Sequence, residues 1–234
     1  MGEDSHVGGD YMPGGMKDDH STNFNGPVTI NNGAEPQRMD PARPAKSYGK
    51  GKEYEEQRDY PKAIACYEQA LQEQEEATGP MSEDLARVHN TLGIAYGEYA
   101  ARYDDAIEQC NGALTSYKAK GELETNLGVA MVNNNLGVVY DAQGEYGQAL
   151  EWHKKALAVK EKALGKEHPD TAASNNNNIA NVYYDQGEYG QAERYYNKAL
   201  AIYLKAFGED HPYVETVRGN LALLDAARGA SAPG

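Results

Sequence analysis

Apolar and polar positions in this chain fall into short stripes that return at a fixed interval. One stripe reads Leu92-Gly93-Ile94-Ala95-Tyr96, then Leu136-Gly137-Val138-Val139-Tyr140, then Ile179-Ala180-Asn181-Val182-Tyr183. Its large apolar residue, its small residue and its Tyr fall at i, i+1 and i+4, one face of a 3.6-residue period, which predicts a helix. A second stripe follows. Ala63, Ala106, Ala149 and Ala192 are succeeded four positions on by Tyr67, Cys110, His153 and Tyr196, and three further on by Ala70, Ala113, Ala156 and Ala199, each with a Leu after it. That spacing again makes a single apolar face. Tyr60, Tyr103, Tyr146 and Tyr189 open these second helices, each 43 residues after the last. Between the stripes, Gln143-Gly144-Glu145 and Gln186-Gly187-Glu188 place a glycine where a helix ends and the chain reverses. The predicted unit is a helical hairpin. Small residues at Gly93, Gly137 and Ala180, facing Ala106, Ala149 and Ala192, let its two helices lie close.

The combination Leu-Gly-x-x-Tyr, Gly-x-Tyr-x-x-Ala and Ala-Leu over residues 85–207 resembles the tetratricopeptide repeat. That resemblance implies an all-α fold, a right-handed α-solenoid of about four helix-turn-helix repeats with a capping helix. A usual copy has about 34 residues, whereas these have 43. The excess lies in a longer second helix and in the linkers Leu164-Gly165-Lys166-Glu167-His168-Pro169 and Phe207-Gly208-Glu209-Asp210-His211-Pro212. A Gly-x-x-His-Pro junction followed by an Asn-rich first helix is similar to the kinesin light chain type of repeat. The expected repeat domain spans 44–229, with repeats at about 44–80, 81–123, 124–167 and 168–210 and a capping helix over 213–228 that Gly229 stops. The first copy is degenerate: Lys50 stands in an apolar position and Lys52 follows, which suits an end facing water.

Composition sharpens this picture at the ends and on the surface. Residues 1–43 hold Gly8-Gly9, Pro13-Gly14-Gly15 and Asn31-Asn32-Gly33 without an apolar period, so ordering them would cost more than burial returns. They are expected to be a disordered acidic tail, and 230–234 a short one. The chain carries 22 Lys+Arg against 36 Asp+Glu, a net charge of −14. The tail accounts for −4, so the repeats themselves are acidic. Such a balance argues against nucleic acid as a partner. No apolar run reaches the roughly 20 residues of a membrane span, so no membrane association is expected. Two Cys and no Asn-x-Ser/Thr acceptor fit a reducing compartment, and the expected location is cytoplasmic.

The informative anomaly is Asn. First helices carry Asn90, then Asn133-Asn134-Asn135, then Asn175-Asn176-Asn177-Asn178 with Asn181, then Asn220. Each interior Asn costs a helix roughly 0.6 kcal/mol relative to Ala, so something should compensate. In tetratricopeptide arrays the first helices line a concave groove. Counted back from the Leu of each stripe, Asn90, Asn134 and Asn177 share one position, and Asn135, Asn178 and Asn220 the next, giving two expected parallel rows of amides. A carboxamide both donates and accepts, so such rows can pair with the backbone of an extended peptide whatever its side chains. The light-chain resemblance implies that role for Asn90, Asn134 and Asn177 most directly. Bonding of the amides to one another across repeats is the competing expectation. Lys52 and Arg87 lie toward one end of the groove, while Glu55, Glu56, Glu98, Asp141 and Asp185 lie along its far edge.

No phosphate loop, dinucleotide fingerprint, zinc-protease motif or nucleophile elbow is present in the sequence. The expectation is therefore a non-enzymatic adaptor with no cofactor, metal or small-molecule substrate. Its partners would be peptide segments of other proteins. His168 and His211 are expected to shape the junctions between repeats, Cys110 to be buried and Cys66 partly exposed. Polar ends suit a monomer, with Tyr184, Tyr195 and Tyr203 as candidates for exposed aromatic surface. The alternative is a cargo-binding subunit of a kinesin motor, a role that in the light-chain family also needs heptads, which residues 1–43 lack.

Overall fold

A computed structural model describes residues 46–78, 82–118, 124–171 and 176–231. The expected tail of 1–43 and most of that at 230–234 lie outside them. The described residues form helices and no strand: α1 Lys46–Glu56, α2 Tyr60–Thr78, α3 Glu83–Ala100, α4 Tyr103–Lys118, α5 Leu127–Ala142, α6 Tyr146–Leu164, α7 Asn177–Asp185, α8 Tyr189–Phe207 and α9 Pro212–Ser231. They pack as the hairpins α1/α2, α3/α4, α5/α6 and α7/α8, each second helix against the next first helix, with α9 closing the stack on α8. The fold is an all-α solenoid of helical hairpins.

Alanine sets the spacing. Ala63, Ala106, Ala149 and Ala192, and likewise Ala70, Ala113, Ala156 and Ala199, are completely buried, as are Tyr67, Cys110, His153 and Tyr196 between them. First helices answer with residues smaller still. A Cβ on Gly137 would stand 2.5 Å from the His153 ring, and one on Gly93 would stand 2.9 Å from the Cys110 sulfur. Close approach of the two backbones is therefore built on the absence of side-chain atoms.

Turns follow the expected chemistry at two hairpins and depart from it at the others. Gly144 and Gly187 take positive φ, 78° and 75°, as the helix ends require. The α3/α4 hairpin has one more residue and no glycine there; Ala101 adopts φ 50°, and its N–H bonds to the Tyr96 carbonyl. At the junctions, Pro169 and Pro212 stand where a helix's first N–H would have no partner. Their preceding histidines supply the cap: Asp170 N–H donates to His168 Nδ1 at 3.2 Å, and Tyr213 N–H to His211 Nδ1 at 3.3 Å.

Two expectations change. Gly229 does not stop α9, which runs on to Ser231, because Gly229 does not take the positive φ of a helix-ending glycine. Tyr203 is fully buried, in contact with the Tyr213 and Phe207 rings at centroid distances of 5.3 and 6.1 Å, because α9 covers it. Tyr184 and Tyr195 are half-buried against Tyr189 and Tyr183.

Candidate functional site

Along α3, Asn90, Ile94 and Glu98 recur every turn on one face, and along α5 Asn134, Val138 and Ala142 do the same. These faces meet where successive first helices lie side by side. There the amides bond across repeats: Asn135 Nδ2 donates to Asn90 Oδ1 at 2.8 Å, Asn178 Nδ2 to Asn134 Oδ1 at 2.8 Å, and Asn220 Nδ2 to Asn177 Oδ1 at 3.1 Å. The hydroxyls of Tyr48 and Thr91, 3.1 Å apart, make the corresponding rung in the degenerate first repeat. Each rung joins one position of a repeat to the following position of the next. The two rows are thus crossed by a single diagonal ladder, because neighbouring helices meet with a one-residue offset.

All of these Asn side chains are nearly covered: Asn134 is fully buried, and Asn90, Asn135 and Asn178 keep 7% of their surface. A rung occupies one N–H of one amide and one oxygen of the other, leaving each carboxamide a second hydrogen or oxygen. Asn134 Oδ1 takes a further contact, His153 Nδ1 at 3.1 Å. An amide oxygen only accepts, so His153 carries its proton on Nδ1. Burial, with a smaller contribution from Lys160, pushes the imidazole pKa down to about 3 and keeps it neutral. Asn134 Nδ2 is buried with no hydrogen-bond partner.

The other expected site residues are placed as follows. Asn181 faces α8, where its Oδ1 accepts from the Tyr196 hydroxyl at 2.6 Å, so it belongs to the hairpin and not to the ladder. Arg87 pairs with Asp84 at 3.2 Å and Lys52 with Glu55 at 3.0 Å. Glu55 also accepts from the hydroxyls of Tyr67 at 2.5 Å and Tyr99 at 3.1 Å. Burial pushes its carboxyl pKa up, but Lys52 and the two phenols outweigh that and hold it below the usual carboxylate range. Both groove cations thus have acidic neighbours. Further along, Asp185 and Asp141 both act on the Tyr146 phenol, whose pKa is raised by burial first and by these carboxylates second. Between α3 and α5 lies a small depression walled by Ile94, Val138, Val139 and Ala142.

Among the described residues, no group of three or more His, Cys, Asp or Glu is arranged to hold a metal ion. None of the described helices is long and apolar enough to cross a membrane. Cys110 is buried, its thiol pushed up to about 12, and Cys66 is half-buried. Sequence reasoning missed the Tyr48–Thr91 rung, although Tyr48 precedes Tyr54 by the six residues that separate Asn90 from Tyr96. It also missed the His153–Asn134 contact, which no periodicity encodes.

The geometry defines a helical repeat scaffold whose first helices are joined by a ladder of buried amides. Residues 45–119 and 172–232 match one family model for the tetratricopeptide repeat, and residues 129–170 match another. The chain belongs to the tetratricopeptide repeat family. No curated protein matches it significantly. Solved structures resemble it throughout the repeats. BtubC (BKLC) from P. vanneervenii is 22% identical with a TM-score of 0.62, over 79% of this chain and 80% of that one. A putative kinesin light chain of Podosopora anserina with nearly identical TPR-like repeats is 22% identical with a TM-score of 0.66, over 81% and 90%. The apo form of RapI is 19% identical with a TM-score of 0.65, over 79% and 63%. The shared fold is that of kinesin light chain-like tetratricopeptide repeats.

Proposed function

We propose that this chain is a non-enzymatic adaptor whose groove holds an extended segment of a partner protein along Asn90, Asn134, Asn135, Asn177, Asn178 and Asn220. The fold is an interaction scaffold, and the observation that carries the finer reading is the ladder. Each rung leaves a hydrogen on Asn90 and Asn177 and a lone pair on Asn135, Asn178 and Asn220, a repeating set that an extended backbone complements, while the fully buried Asn134 holds its rung in place. Contact with solvent is narrow at these amides, so the segment would lie along the ladder's margin and add to the rungs without replacing them. Lys52 and Arg87 border one end of that path. The adaptor is expected to act as a monomer in the cytoplasm.

The test is affinity capture with mass spectrometry, comparing the full chain with Asn90→Ala/Asn134→Ala/Asn177→Ala after circular dichroism has shown equal helicity. Partners retained by the triple variant would sink the groove reading. Likeness to a putative kinesin light chain favours a narrower version, in which the chain is the cargo-binding subunit of a microtubule motor. Co-purification with a motor heavy chain checks that version, and its absence from captured material overturns it.

A further inference from the structure

The groove is not uniform along its length. In the first helices the residue after the stripe's Tyr reads Glu55, Gly97, Asp141 and Tyr184, and at Gly97 this position faces Val139 of the next repeat. Only Gly97 lacks a side chain. A Cβ there would already stand 3.4 Å from Val139 Cγ2, so any larger residue would fill the space. What Gly97 leaves open is the depression between α3 and α5, walled by Ile94, Val138, Val139 and Ala142. It lies one helical turn along from the Asn90–Asn135 rung, and the Asn135 side chain forms part of its lining. Its enclosed part measures about 20 Å³, little more than one water. A depression of that size suits one or two methyl groups better than an aromatic ring. Glu98 also lines it, half-buried and close enough to Tyr99 and Lys52 to act on both, with Asp141 the next acid in the first helices.

We infer that this depression is the specificity pocket of the groove and that it takes the tip of a Leu, Ile or Val side chain from a segment carrying Lys or Arg within two residues. The inference rests on the groove reading above. An extended chain rises about 3.3 Å per residue, so a segment seated at Asn135 and the pocket brings its neighbouring side chains within reach of Glu98. Glu98 and a net charge of −14 favour a cationic neighbour and oppose an acidic one. The occupant is thus an aliphatic-basic segment, favoured over an aromatic-acidic one by fit and by charge.

A displayed library of random peptides, selected on the full chain and followed by fluorescence anisotropy of the selected peptides, tests this. Selected sequences should pair an aliphatic residue with a nearby Lys or Arg, and replacing the aliphatic residue by Ala should weaken binding roughly tenfold. Gly97→Val should weaken the same peptides by a similar factor, and Glu98→Gln should remove the basic preference. Val138→Ala, which widens the pocket without adding atoms, should shift selection toward larger side chains, and serves if Gly97→Val does not fold. Aromatic or acidic selections, or binding indifferent to Gly97→Val and Val138→Ala yet lost with the Asn triple variant, would overturn the pocket and leave the groove. Selections indifferent to all of these variants, or no selection at all, would overturn both.

Discussion

Asn134 is the residue on which most interactions of the ladder converge. Its oxygen accepts from Asn178 Nδ2 and from His153 Nδ1, within a fully buried site. Asn134→Ala would strand two buried donors, each costing about 1–3 kcal/mol, against about 0.6 kcal/mol gained in helix propensity. Asn220→Ala would strand only the Asn177 oxygen. The expected order in urea unfolding is therefore a loss of about 2–5 kcal/mol for the first and about half as much for the second. His153 adds a pH dependence. Its folded pKa lies near 3 against an ordinary 6.5, so the unfolded chain binds a proton that the folded chain refuses. Stability should fall as pH drops from 6.5 toward 3, with no further loss from this group below that. His153→Gln, which keeps a donor toward Asn134, should flatten that slope in thermal melts taken between pH 6.5 and 4. These contacts were only half legible in advance. Asn spacing revealed aligned amides, but which amide meets which depends on a one-residue offset between helices that periodicity does not contain.

Glycines test how the elements fit. Gly137 faces the His153 ring so closely that Gly137→Ala must push the helices apart, an overpacking cost of about 1–3 kcal/mol. Gly147, inside α6, has nothing within 4 Å of where a Cβ would be. Gly147→Ala should stabilise by up to about 0.5 kcal/mol, because only helix propensity changes and Gly147 lies in the first turn of α6. Melting temperatures of the two variants should move in opposite directions, and a shared sign would mean that the hairpin spacing is not set at Gly137. At this scale the sequence was most readable. Hairpins, their alanine seams and two turn glycines follow from spacing alone, since local period and backbone sterics decide them. Ala101 in a left-handed conformation and the passage of α9 through Gly229 were not readable, because neighbouring structure decides those ends.

For the whole molecule, stability is close to a sum over hairpins and the contacts between neighbours. At the end that α9 covers, Tyr196, Tyr203, Val214, Val217 and Leu224 belong to one completely buried cluster. Truncation after Gly208 removes three of these five residues and the last rung. The shortened chain should melt lower and self-associate, seen by scanning calorimetry and size-exclusion chromatography. A shortened chain that stays monomeric with an unchanged melt would show that α9 does not close the stack.

The diagonal ladder makes the stack directional. In every amide rung the donor belongs to the later repeat and the acceptor to the earlier one. Each middle hairpin therefore has a chemical head and a chemical tail, like a monomer in a polar filament. A hairpin inserted into this array keeps the ladder unbroken only if its first helix supplies a donor to the repeat before it and an acceptor to the repeat after it.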